Sequence, residues 1–277
     1  MSRSAQVVVI VLLVAVVGMG ALLVARRGGT DETAPAPASS RLVVYAPCGM
    51  SSPIAVATQR FREQSGLDVP VVFDNAIVLV RRIRAGERPD VFISPGEVEM
   101  KALMGEGFID PATVRDFGSL DLVVIAPKKT AGLDAIADLT SPSVKTISLA
   151  DPALNSVGYY GMKALQSAGL WESLKGKVLP REYPLEAVTM ATEGRVDAGI
   201  TYLTCPLDTA PDKADASEVR IVETFPRDSY PPIRLQVGIM KSSAKQDSAQ
   251  AYIDFLCSPE GQQSVAMNGV LPVKVIE

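Results

Sequence analysis

The chain is 277 residues long with a formal charge of −4, its 27 basic and 31 acidic side chains scattered rather than striped, so it presents no field for nucleic acid. It has no histidine, which removes the commonest general base and the commonest metal ligand, and no Gly-x-Ser-x-Gly, His-Glu-x-x-His or phosphate-loop sequence replaces them. Three cysteines, Cys48, Cys205 and Cys257, are too few and too widely spaced for a disulfide scaffold or a zinc knuckle, although one disulfide remains open.

From Ala5 to Ala25 the chain runs without a charge and is rich in Val and Leu, long enough to cross a hydrocarbon core of about 30 Å. Residues 1–28 therefore read as a membrane segment. An uncleaved anchor is preferred to a cleaved signal, because Leu23-Val24-Ala25 is a poor small-x-small site and no cysteine follows closely enough to accept a lipid. Residues 29–40, with the core Thr33-Ala-Pro-Ala-Pro-Ala38, read as an extended tether too poor in apolar side chains to pack.

The body begins with a buried strand, Leu42–Tyr45, followed by Ser51-Ser52-Pro53 as an N-terminal helix signal. Ile54, Ala57, Thr58 and Phe61 give that helix one apolar face, to about Ser65, and Gly66 closes it. A strand is predicted over Val69–Phe73, then a helix capped by Asp74 or Asn75 with Leu79, Val80 and Ile83 inward, ending at Gly86. Strand Val91–Ser94, a helix over Glu97–Gly105 and strand Leu120–Ala126 follow. Further on come strand Thr146–Ala150, helices Gly158–Ala168 and Leu185–Glu193, strands Ala198–Tyr202 and Ile233–Met240, and helices Ser248–Cys257 and Pro259–Asn268.

One pattern occurs twice: Arg88-Pro-Asp-Val-Phe-Ile-Ser94 and Arg195-Val-Asp-Ala-Gly-Ile-Thr-Tyr202 each follow an amphipathic helix that stops at a glycine. A buried strand is led in by an aspartate and ends on hydroxyl residues, and in open α/β sheets ligands collect at such carboxyl ends. Two units imply two lobes facing one crevice: lobe one from residues 41–121 and 233–277, lobe two from 122–232, with two crossing segments as a hinge. A single doubly wound sheet is the alternative.

The stretches Val43-Val-Tyr-Ala-Pro-Cys-Gly-Met50, Leu79 to Ser94, Leu122-Val-Val-Ile-Ala-Pro-Lys128, Ala150-Asp-Pro152 with Gly158-Tyr-Tyr160, Gly199-Ile-Thr-Tyr202 and Tyr252 to Pro259 resemble, in order and spacing, periplasmic molybdate-binding proteins. These are the solute-binding components of ABC importers, with an α/β, two-lobed type II periplasmic binding protein fold. The resemblance implies a protein without catalysis or cofactor that binds a tetrahedral oxyanion such as molybdate or tungstate. It also implies delivery to an ABC transporter permease, in a periplasmic or extracytoplasmic location reached here through the membrane tether.

By position, the resemblance places the ligand donors on Gly49, Ala76, Val157, Pro184 and Tyr202. Gly49 and Ala76 carry no hydroxyl, and proline carries no N–H, so Leu185 replaces Pro184. Gly49 can offer its backbone N–H at close approach, Asn75 a side-chain amide and Ser51 a hydroxyl. Asp74 would repel a dianion unless it points away or is paired. Two thiols, Cys48 and Cys205, beside Asp74 and Tyr202 would suit a metal cation instead, or form a disulfide between lobes, or simply fill space. A small organic acid, and a sensor or interaction module without transport, are the other readings.

Overall fold

The computed structural model describes residues 41–208, 218–266 and 269–273; the membrane segment read at residues 5–25 and its tether lie outside them. Among the described residues no helix is long and apolar enough to cross a membrane.

Among the described residues eleven strands form two sheets. The first contains β1 (Val44–Pro47), β2 (Val71–Asp74), β3 (Val91–Ser94), β4 (Arg115–Leu120), β10 (Arg234–Ile239) and β11 (Val270–Leu271), in the order β11-β4-β10-β3-β1-β2. The second contains β5 (Leu122–Pro127), β6 (Ile147–Ala150), β7 (Val178–Arg181), β8 (Ala198–Tyr202) and β9 (Val219–Thr224), in the order β7-β6-β8-β5-β9. In each sheet three strands run parallel, β2-β1-β3 and β7-β6-β8, and the next strands are antiparallel. The single doubly wound sheet is thereby excluded.

The strand read over Leu120–Ala126 is β5, shifted by one or two residues, and the chain leaves the first sheet at Leu120 and enters the second at Leu122. Asp121 sits at that crossing, buried, and the Arg227 guanidinium from the other crossing donates to both of its oxygens at 2.7 and 2.9 Å. Strands β4, β7, β9 and β11 have no counterpart in the sequence reading. β7 (Val-Leu-Pro-Arg) and β9 lie at sheet edges, where one flank needs no partner and where proline and charge are tolerated, so neither shows an uninterrupted apolar run.

Helices cover the sheets: α1 (Ser51–Ser65), α2 (Ala76–Arg84), α3 (Glu97–Gly105), α4 (Ser156–Ser167), α5 (Trp171–Leu174), α6 (Glu186–Thr192), α7 (Thr204–Asp208), α8 (Gln246–Cys257) and α9 (Pro259–Ala266). The first sheet is buried on both faces. Val44 and Ala46 point to one core with Ile54, Ala57 and Phe61 of α1, while Tyr45 points to another with Leu79, Val80 and Ile83 of α2. That is the strand period of two meeting the helix period of three to four, on a sheet that is parallel at its centre.

The repeated aspartate has a structural role in both units. Asp90 accepts from the Val43 N–H at 2.8 Å, and Asp197 accepts from the Lys145 and Thr146 N–H groups at 2.8 and 2.9 Å. Each therefore fixes the entry of the neighbouring parallel strand, β1 beside β3 and β6 beside β8.

Candidate functional site

The carboxyl ends of β1, β2 and β3 approach those of β6 and β8, and the turns leaving them enclose a cavity of about 30 Å³, room for roughly two waters. From the first sheet it is lined by Pro47 to Met50, Asn75, Ala76, Pro95 and Glu99; from the second by Val157, Pro184, Leu185, Tyr202, Thr204 and Cys205. Gly49, Asn75, Ala76, Val157, Leu185 and Tyr202 are thus brought together, whereas Ser51 opens α1 and is not among the lining residues.

Two long helices start at this cavity. Asn75 caps α2, its side-chain oxygen accepting from the Ile77 N–H at 3.4 Å, so the first N–H groups of α2 point toward the lined space. Asp74, beside it, pairs with Arg82 at 3.6 Å and does not line the cavity, so the repulsion feared from the sequence does not arise. The start of α4 rests on the end of β6, because a Cβ on Gly158 would lie 2.2 Å from the Ala150 carbonyl oxygen, a contact only glycine avoids. Asn155, extended before the helix, is tied by its side-chain N–H to the Glu182 carbonyl at 3.0 Å.

The second-sheet wall carries the free hydroxyls. Tyr202, last residue of β8, is 4% exposed and Thr204 is 1% exposed, and neither hydroxyl has a hydrogen-bond partner among the described residues. Burial pushes the Tyr202 phenol well above its ordinary pKa, the charges of Glu99 and Tyr160 adding to it, so the group is a neutral donor. At the corresponding position of the first unit stands Pro95, which carries no hydroxyl, and Ser94, which corresponds to Thr201, donates its hydroxyl to the Gly96 carbonyl at 2.6 Å.

Gly49 packs on Cys205, whose sulfur would lie 2.9 Å from a Cβ at position 49. All three cysteines are thiols, so the disulfide alternative is not realised. Among the described residues no group of three Cys, Asp or Glu side chains converges as a metal site, and Asp74 does not join Cys48, Cys205 and Tyr202 at the cavity.

Glu99 and Thr204 were missed by the sequence reading. Glu99 left a usable signal, since it shares the buried stripe of α3 with Met100 and Leu103, a carboxylate where the helical period calls for an apolar side chain. Burial raises its pKa, against the Ser156 hydroxyl and N–H, which lower it. Thr204 left none, because nothing in a five-residue helix after a strand marks which hydroxyl is enclosed.

The family model for bacterial extracellular solute-binding proteins matches residues 42–270. The chain belongs to that family. Among relatives of this solute-binding protein, the molybdate-binding protein ModA of Escherichia coli is 26% identical over 228 residues, 80% of this chain and 86% of its own. Among solved structures, the substrate-binding domain of a putative molybdenum ABC transporter from Clostridium difficile superposes with a TM-score of 0.64 at 24% identity, covering 84% of this chain and 99% of that one. The periplasmic molybdate-binding protein of Azotobacter vinelandii reaches a TM-score of 0.70 at 20% identity over 84% of this chain and all of its own. The two-sheet α/β fold is that of periplasmic binding proteins, and these relatives are binding proteins rather than enzymes.

Proposed function

We propose that this solute-binding protein holds a small tetrahedral oxyanion, molybdate or tungstate, in the cavity between its two sheets and delivers it to an ABC permease. The observation that carries the reading is the pair of buried, unpartnered hydroxyls, Tyr202 and Thr204, at a small cavity that has no lysine or arginine in its lining. A buried hydroxyl without a partner costs about 1–3 kcal/mol, which a bound oxyanion would offset. The names of the relatives, molybdate-binding proteins in Escherichia coli and Azotobacter vinelandii, point the same way.

In this reading the Gly49, Ala76, Val157 and Leu185 N–H groups and the Asn75 amide complete the donor set, with Ser51 held behind them. Helix starts bind anions through N–H groups that have no partner inside the helix, so a salt bridge is not required. The small, arginine-free lining favours an inorganic anion over an organic acid. Residues 41–121 with 233–277, and residues 122–232, act as two lobes that hinge at the Asp121 and Arg227 crossings. Residues 5–25 anchor the protein in the membrane, and residues 29–40 are the tether that leaves the binding body outside the cytoplasm.

The test is thermal unfolding of the full chain with molybdate, tungstate, sulfate or phosphate added singly. Ligand at a hundred times its Kd adds about 2.7 kcal/mol to folded-state stability. A rise in Tm with molybdate or tungstate is expected; no rise with any of the four would sink the oxyanion reading.

A further inference from the structure

We propose that Glu99 is a specificity-determining residue of the cavity, and that binding of a doubly charged oxyanion there takes up one proton from solvent, held on the Glu99 carboxyl. The inference rests on the oxyanion reading above and adds the charge state that the site demands.

Glu99 is built into the wall. It is 4% exposed and lines the cavity from the first sheet, yet its bonds are to the second: one carboxyl oxygen accepts from the Ser156 N–H at 3.0 Å and the other from the Ser156 hydroxyl. The Ser156 hydroxyl in turn accepts from the Val98 N–H at 3.2 Å. This approach depends on Gly96, where a Cβ would fall 2.5 Å from the Ser156 hydroxyl oxygen. Ser156 is the first residue of α4, so the carboxyl occupies one helix-start N–H while the next residue, Val157, lines the cavity.

Among the described residues no positive charge compensates it. The groups that act most strongly on Glu99 are its own desolvation, Ser156, its own backbone and Ser94, none of them cationic. Its neighbour Glu97 takes the nearby cations, Lys101 and Arg234. The titratable groups facing it are Tyr160 on α4, Tyr202 on β8, and the thiols Cys205 on α7 and Cys48 after β1, which are neutral or become negative as pH rises. An ionised Glu99 would therefore face a dianion across a few ångströms of low-dielectric interior with nothing between them, whereas a protonated one has an O–H to donate. Burial already biases the carboxyl toward the neutral form.

The sign of the linkage follows. Bound dianion favours the protonated carboxyl, so Glu99 has a higher pKa in the complex than in the free protein. Between those two values the Kd weakens tenfold for each unit of rising pH.

The experiment is titration calorimetry of molybdate into the full chain, wild type and Glu99→Gln, from pH 5.5 to 8, below the ordinary thiol range. Two buffers of different ionisation enthalpy report the protons taken up. The expected result is a wild-type Kd that weakens up to tenfold per pH unit with uptake of one proton. In E99Q the Kd is flat and, at pH 8, tighter than wild type. A flat wild-type profile, or the same slope in both proteins, overturns the proposal. Failure of molybdate, tungstate, sulfate and phosphate to bind either protein at any pH sinks the oxyanion reading and the proton coupling with it, an outcome distinct from binding with equal slopes. Should E99Q not fold, Ser156→Ala serves: it removes a bond that lowers the Glu99 pKa, so the onset of weakening moves to higher pH, and an unmoved onset overturns the inference.

Discussion

Around the cavity, the rim at the helix starts and the rim at the end of β8 are made of different material. At Gly49, Ala76 and Val157 the lining side chain is absent or apolar, and what the rim can offer is main-chain N–H, held in place by close packing. At Tyr202 and Thr204 the rim offers side-chain hydroxyls, buried and without partners among the described residues. Main-chain donors are a property of the packing, so residue identity matters there through size alone. Side-chain donors are a property of the residue, so deleting one atom removes them and leaves the packing intact.

The sharpest way to break the packed rim is steric. Gly158→Ala forces the α4 start off the end of β6, where the added Cβ would meet the Ala150 carbonyl oxygen at 2.2 Å. A cost of about 3 kcal/mol is expected, at the upper end for overpacking a well-packed site. Thermal unfolding should register it as a fall of roughly 6–12 °C, and oxyanion binding should weaken as well, because the Val157 N–H moves with the helix.

The side-chain rim should respond in the opposite sense. Tyr202→Phe removes one oxygen, and the expected loss of oxyanion affinity is about 10–100-fold, the worth of a buried hydrogen bond. Stability of the ligand-free protein should stay level or rise, since the deleted hydroxyl is buried without a partner. A fall in Tm with unchanged affinity would assign Tyr202 to packing.

A smaller effect tests whether size governs the first-sheet rim. Gly49→Ser supplies a hydroxyl but brings its Cβ to 2.9 Å from the Cys205 sulfur, at an expected cost of about 1–2 kcal/mol. Gly49→Ser with Cys205→Ala should recover most of it, giving a coupling of at least about 0.5 kcal/mol in a double-mutant cycle. Strict additivity would show that the two residues do not share that space.

How much of this was legible follows from the same distinction. The central strands were readable because burial on both faces writes an unbroken apolar run, as in Val91-Phe-Ile-Ser94 and Ala198 to Tyr202, and α3 was readable to its ends. The edge strands β7 and β9 were not, because one flank faces no partner and their charges and proline hide the run. At the cavity, Tyr202 could be named because it ends a buried strand on a hydroxyl and because the family resemblance places a donor there. Thr204 could not, and the Asp74–Arg82 pair that removes a charge from the site is a tertiary contact across one helix, invisible until the helix is built.

The smallest expected effect compares two carboxylates that both accept main-chain N–H. Burial alone would raise the Asp197 pKa, but the Lys145 and Thr146 N–H groups and the Thr146 hydroxyl outweigh it and hold the carboxyl below its ordinary value. Glu99 moves the other way: its deeper burial outweighs the Ser156 hydroxyl and N–H, its own N–H and the Ser94 hydroxyl, all of which lower its pKa. For Asp197 the folded protein therefore binds fewer protons than the unfolded chain near pH 3–4, so its contribution is complete above about pH 4 and is lost as pH falls through the lowered pKa. Asp197→Asn should cost about 1 kcal/mol at pH 7 by weakening these bonds, and the gap to wild type should close in acid. For Glu99 the order reverses: between about 4.3 and its raised pKa the folded protein binds more protons than the unfolded chain, so stability is lost as pH rises through that interval, and Glu99→Gln should gain on wild type across it. Urea unfolding of the three proteins from pH 3 to 8 separates the two cases. Parallel curves would mean that main-chain bonds, and not burial, decide which form of a carboxyl this fold holds.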